Sequence, residues 1–180
     1  MRNYIIHISA ILLLAFVIGS GQALGQDVTL GIKAPPAGSL STEQLRAVAA
    51  DIRRLEANPL ASDADEATKA LMVWSIESPD FTLSMCMGIL GGLIGSESKY
   101  HSTLLVQFML SSAAYIIENP EEADNNVKVN VGGLEGVSKT YSILKEQEGD
   151  SAKDEFGEML LKLQEEGKLE EHVTEGLKEC

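Results

Sequence analysis

The stretch YHSTLLVQFMLSSAAYIIENP, residues 100–120, decides the fold class. Leu104, Leu105, Phe108, Met109, Ser112, Tyr115 and Ile116 recur at steps of three and four, the spacing that puts side chains on one face of an α-helix. Asn119-Pro120 ends the run, because proline cannot continue the hydrogen-bond ladder. The same period appears on both sides. Upstream, Ser41-Thr42-Glu43-Gln44 has the form of a capping box, with Ser41 placed to accept from the amide of Gln44. Leu45, Val48, Ala49, Ile52 and Leu55 then share a face opposite Arg46, Arg53, Arg54 and Glu56, and Asn58-Pro59 stops the helix. A second start at Ser62-Asp63 leads through Ala67, Ala70, Leu71 and Trp74 to a stop at Ser78-Pro79.

Between these segments, residues 81–94 fit two periods. Phe81, Leu83, Met85, Met87 and Ile89 alternate as in a strand, whereas Leu83, Cys86, Met87, Leu90 and Ile94 keep helical spacing. Helical neighbours and the scarcity of β-branched residues favour a buried helix. Downstream, Val127, Val131, Leu134, Val137, Tyr141 and Leu144 make another helical face, broken at Gly149-Asp150-Ser151. Phe156, Met159, Leu160 and Leu163 form a short helix ended by Gly167, and Leu169, Val173 and Leu177 form a last one. The expectation is an all-α irregular bundle of about seven helices. Trp74 and Tyr115 each precede a helix-ending proline by five residues, so a helix-pair array is the alternative.

Residues 1–25 read as a signal peptide. Arg2 is followed by an apolar run over 4–19, and Ala23 and Gly25 place small side chains at the positions a signal peptidase accommodates, with the cut before Gln26. A cut after Ala23 is the nearest variant, and an uncleaved anchor the competing reading; the run is shorter than the roughly 20 residues that cross a bilayer. Residues 26–40, with Gly31, Pro35, Pro36 and Gly38, read as an extended leader, and 41–180 as a single helical domain.

The whole chain of 180 residues carries 14 basic and 27 acidic side chains, a net charge of −13. Such a chain is repelled by nucleic-acid phosphates and anionic lipid surfaces, so neither is an expected partner, and no stable membrane anchor is expected after signal cleavage. From Glu121 onward there are 16 acidic against 7 basic residues. The plain reading is a solvated face; the functional one is a surface that steers a basic partner.

Cys86 and Cys180 are the only cysteines, and export would put them where thiols oxidise. An intramolecular disulfide is expected, against a buried reduced Cys86 or a Cys180 that joins two chains. Gly88 and Gly92, Gly91 and Gly95, and Gly132 and Gly136 lie four apart on helices. Glycine costs a helix interior about 1 kcal/mol, so these pairs call for an offsetting close approach of another backbone. The segments around Gly88–Gly92 and Gly132–Gly136 are expected to pack tightly, with each other as one possibility; the alternative is that the glycines end helices.

No motif for metal, nucleotide or nucleophilic chemistry occurs, and no cofactor is expected. His101, at a helix start, and His172, beside Glu170 and Glu171, lack an identifiable second group, and Asp63, Asp65 and Glu66 fit helix capping better than calcium ligation. The layout of signal peptide, small acidic helical body and lone disulfide resembles that of exported bacterial helical proteins, helical immunity proteins that neutralise toxins among them; the resemblance is one of layout and assigns no residue a role. The expected function is therefore a protein-binding or structural module in the periplasm or extracellular space. The alternatives are a hydrolase using acidic residues with His101, and a carrier of a small apolar ligand among Met72, Met85, Met87 and Met109.

Overall fold

The computed structural model describes residues 40–78 and 83–180. The signal peptide, most of the leader, Pro79 and Phe81 lie outside them. Among the described residues there are seven α-helices and no strand: α1 Thr42–Ala57, α2 Ala64–Glu77, α3 Met87–Ile94, α4 His101–Glu118, α5 Asn126–Glu148, α6 Glu155–Glu165 and α7 Leu169–Gly176. Short 3₁₀ turns follow α4, α5 and α7. The fold is an all-α bundle.

Helix α1 starts as its sequence dictates. Ser41 Oγ accepts from Gln44 N, and the Gln44 side chain accepts from Ser41 N at 2.8 Å, closing both halves of the box. Helix α2 starts differently. Asp63 makes no capping bond and instead pairs with Arg54 on α1 at 3.1 Å, which closes the α1–α2 corner.

Helix α4 is buried on nearly every side. Leu104 and Phe108 enter one apolar cluster, with α3, α5, α6 and α7, while Leu110, Ala113 and Ala114 enter a second, with α1 and α2. A helix apolar on all faces belongs inside a bundle, and here it divides the core in two. Helix α5 touches α1, α4, α6 and α7. An array in which each unit meets only its neighbours does not produce such contacts, so the architecture is a bundle.

Two sequence readings change. Residues 83–86 are not helical, and α3 is only eight residues long, so the buried helix expected over 81–94 is half its expected length. Residues 83–86 lead into α3, with Cys86 in extended backbone and its side chain buried. Met85 and Met87 are exposed, not core, because α3 buries Ile89, Leu90 and Leu93 instead. Second, Glu56, assigned by phase to the outer face of α1, is buried to 2 % exposure. Its burial comes from the glycines of α5.

Those glycines do not break their helix; α5 runs through Gly132, Gly133 and Gly136 for 23 residues. A Cβ on Gly132 would come within 2.5 Å of the Tyr115 ring, and one on Gly136 would strike Ser111 and approach Glu56 Oε1 to 2.7 Å. Only a bare backbone lets α4 and α1 come this near. The other pair packs elsewhere. A Cβ on Gly88 would strike the Gly176 carbonyl of α7, and one on Gly92 would sit 3.1 Å from the Phe156 ring of α6. The two glycine segments thus pack on different helices and not on each other. Beside the Gly88–Gly176 crossing, Cys86 and Cys180 stand at disulfide distance, with Cα atoms 5.9 Å apart.

Candidate functional site

Among the described residues, an open groove of about 610 Å³ with a mixed polar and apolar lining has α5 along its length and α1 and α6 contributing the rest. Arg53 and Glu56 come from α1, Gly136, Ser138, Lys139, Ser142 and Ile143 from α5, and Leu161 and Gln164 from α6. A buried carboxylate is costly unless paired and hydrogen-bonded, and Glu56 is both. Its Oε1 accepts from Arg53 Nη1 and from Ser111 Oγ at 2.7 Å, and Ser111 in turn accepts from Gln107 Nε2 at 2.9 Å. Arg53 is fixed from its other edge by Glu118, with Nε–Oε1 at 3.2 Å and Nη2–Oε2 at 2.7 Å. Among the described residues the second oxygen, Oε2, meets only Lys139 Nζ, at 3.5 Å. Lys139 is half exposed, at 49 %. One face of the carboxylate is clamped and the other is loosely covered.

A second polar cluster lies around Asp154, which is buried to 2 % exposure. Ser96 Oγ and Ser98 Oγ donate to its Oδ2 at 2.5 and 2.6 Å, and Gly157 N donates to Oδ1 at 2.9 Å, capping α6. Burial, the largest single influence, raises the Asp154 pKa, but the donors Ser96, Ser98 and the amides of Gly157 and Phe156 together outweigh it and leave it lowered. A carboxyl more acidic in the folded state contributes stability that is complete above the ordinary carboxylate range and disappears as pH falls through the lowered value. Asp154→Asn is therefore expected to cost about 1–3 kcal/mol at neutral pH and to flatten the loss of stability below about pH 4, read by urea unfolding across pH. An unchanged acid limb would remove Asp154 from this role.

The Asp154 cluster brings together a carboxylate, two serines and His101, the combination that the hydrolase alternative requires. In this arrangement the serines bond to the carboxylate and the imidazole bonds to the backbone. Both hydroxyls donate directly to the carboxylate, and His101 Nδ1 lies 2.8 Å from the Ser98 carbonyl. A carbonyl only accepts, so Nδ1 carries its proton there and Nε2 is the acceptor of the neutral ring. The nearby Tyr141 hydroxyl is pushed up to about 12, first by burial and then by its bond to Glu158, which leaves it neutral at ordinary pH. His172 is likewise turned to a backbone carbonyl, that of Ile89 at 3.3 Å.

The methionines named for an apolar-ligand carrier do not share one site. Met85 and Met109 border a cavity of about 20 Å³, room for a single water, and Met87 is 60 % exposed. Ser112 Oγ and Asn130 Oδ1 border the same cavity and have no partner among the described residues, so the space is polar as well as small. Among the described residues no three His, Cys, Asp or Glu side chains are grouped as a metal site would need, and no helix is long and apolar enough to cross a membrane.

Sequence reasoning missed the groove because its central residue, Glu56, sits on the polar side of α1. The available signal was the small pair Gly136 on α5 and Ser111 on α4, which only the three-dimensional arrangement brings together. Compared with protein-family models, curated proteins and solved structures, the chain matches none.

Proposed function

We propose that this chain is an exported protein-binding module that holds a segment of a partner polypeptide in the groove between α1, α5 and α6. The observation that carries the reading is the Glu56 network. An ordered, desolvated carboxylate lines an open groove of mixed polarity, and its acceptor sites are occupied by Arg53, Ser111 and Lys139, an arrangement suited to recognition and not to proton transfer. Enclosed apolar pockets suit small molecules, whereas this groove is open, lined by donors and acceptors, and includes an apolar spot at Ile143 and Leu161. Such a surface matches the alternating amides and side chains of an extended chain.

Export is supported by the apolar run at residues 4–19, the small residues before Gln26 and the Cys86–Cys180 pair at disulfide distance. The periplasm or the extracellular space is the compartment proposed, with the two cysteines bonded within one chain.

Site-specific photo-cross-linking tests the groove. With p-benzoylphenylalanine introduced at Ser142, illumination in the exported fraction is expected to give one stoichiometric adduct with a polypeptide. The same group at Lys69, on the exposed side of α2, should give none. Equal yields from both positions, or no adduct from Ser142, would contradict the reading.

A further inference from the structure

We infer that the groove selects a cationic side chain, arginine or lysine, on the bound polypeptide, with Glu56 as its buried acceptor and Lys139 as an internal stand-in that the incoming cation displaces. The inference rests on the groove reading above and adds the chemistry of what enters.

The two oxygens of Glu56 differ in their partners. Arg53 and Ser111 hold Oε1 and fix the plane of the carboxylate, and Arg53 is itself locked by two bonds to Glu118. Among the described residues Oε2 has only the Lys139 ammonium, at 3.5 Å, the longest of the bonds to this carboxylate. An exposed ion pair of that length contributes little, because water and salt screen it and the lysine gives up rotamer freedom to hold it. A guanidinium or ammonium entering from the groove makes a shorter, charge-assisted bond to a carboxylate already desolvated and positioned. Lys139 then swings into water, where it loses little. Glu135 on the groove lining supplies a further acceptor for the same guest, whereas Gln164 Oε1 already accepts from Ser138 Oγ.

An anionic guest meets the opposite situation. Arg53 is committed to Glu56 and Glu118, so Lys139 is the only cation in the groove lining free to turn to it. Taking Lys139 would strip Oε2 of its partner and leave a buried carboxylate half uncovered, on a lining that also carries Glu135. The net charge of −13 draws cationic segments in and repels anionic ones from a distance. Local geometry and long-range field favour the same sign of guest.

The test uses two capped tripeptides on the oxidised protein, followed by amide NMR shifts. One is N-acetyl-glycyl-arginyl-glycinamide; the other carries citrulline, which keeps the shape of arginine and loses its charge. The arginine peptide should produce saturable shifts over residues 53–56 and 135–143, and the citrulline peptide should bind at least tenfold more weakly. Lys139→Met, which removes the stand-in, should tighten arginine binding threefold or more, whereas Lys145→Met, further along α5 and paired with Glu158, should not. Glu56→Gln should weaken it at least tenfold; if that variant does not fold, the Lys139→Met and citrulline comparisons carry the test. Equal binding of the two peptides, or weaker binding by Lys139→Met, overturns the inference. A Ser142 adduct whose cross-linked segment contains neither arginine nor lysine also overturns it, while leaving the groove reading in place.

Discussion

Gly136→Leu is expected to lower the stability of the folded chain by about 4 kcal/mol or more, a fall in Tm of roughly 15 °C. Two costs combine. Even the first carbon of the new side chain would strike Ser111 and crowd Glu56 Oε1, so α5 has to move away from α1 and α4. Overpacking of this kind costs about 1–3 kcal/mol. Moving α5 also parts Lys139 from Glu56, and the new side chain pushes Ser111 off Oε1; a buried carboxylate that loses its partners adds about 3–5 kcal/mol, the two terms overlapping because one substitution causes both. Gly91→Ala is the internal comparison. A Cβ there meets nothing within 4 Å, so the better helix propensity of alanine should stabilise by up to about 1 kcal/mol. Thermal and urea unfolding of the two variants separates close approach from helix propensity. A Gly136→Leu protein as stable as the parent would mean that α5 does not press on α1 and α4.

The contrast between those glycines shows how much of the fold was legible in the chain. Spacing alone identified the glycine pairs, the capping box of α1 and the helical period of α4 and α5, because each is a local property of a few consecutive residues. What the glycines face is not local. Gly88 meets Gly176, which no period links to it, although the expected bond between Cys86 and Cys180 already brings positions 88 and 176 near one another. Helix α4 hid a second buried face in the same way. Leu110 and Ala113, off the stripe through Leu104 and Phe108, are fully buried because α1 and α2 cover the side that a single-stripe reading leaves to solvent.

The groove was the least legible feature, and for a physical reason. A glutamate on a polar helical face is ordinarily solvated; Glu56 is buried because Gly136 allows α5 to close over it and because Arg53, Ser111 and Lys139 come from three helices to bond it. No single segment encodes that site. The Asp154 cluster was partly legible, since an aspartate before the apolar face of α6 is an ordinary cap, but its bonds to Ser96 and Ser98 join segments more than 50 residues apart.

Reduction of the protein is the second large effect expected. A bond between Cys86 and Cys180, 94 residues apart, removes chain entropy from the unfolded state worth between about 4 and 5 kcal/mol in the loop-closure model. The loss falls first on the C-terminus. Helix α7 has only eight residues, far fewer than the roughly 12–15 that a helix needs to persist alone in water, and it is held by Leu169 and Val173 in the core, by the His172 bond to Ile89 and by the adjoining cysteine pair. Excess dithiothreitol is expected to lower Tm by roughly 15 °C, and Cys180→Ser to do the same without reductant. Hydrogen exchange should rise earliest in α7. A melting curve indifferent to thiol would show that the pair carries no such load.

The account as a whole depends on a chain that leaves the cytoplasm, loses its first 25 residues and closes on its own C-terminus. Mass spectrometry of the protein recovered from outside the cytoplasm, digested without reduction, tests this most directly. The predicted result is an N-terminus at Gln26 and a linked pair of peptides carrying Cys86 and Cys180 in a monomeric chain. An intact chain beginning at Met1, with both thiols alkylated under native conditions, would contradict it.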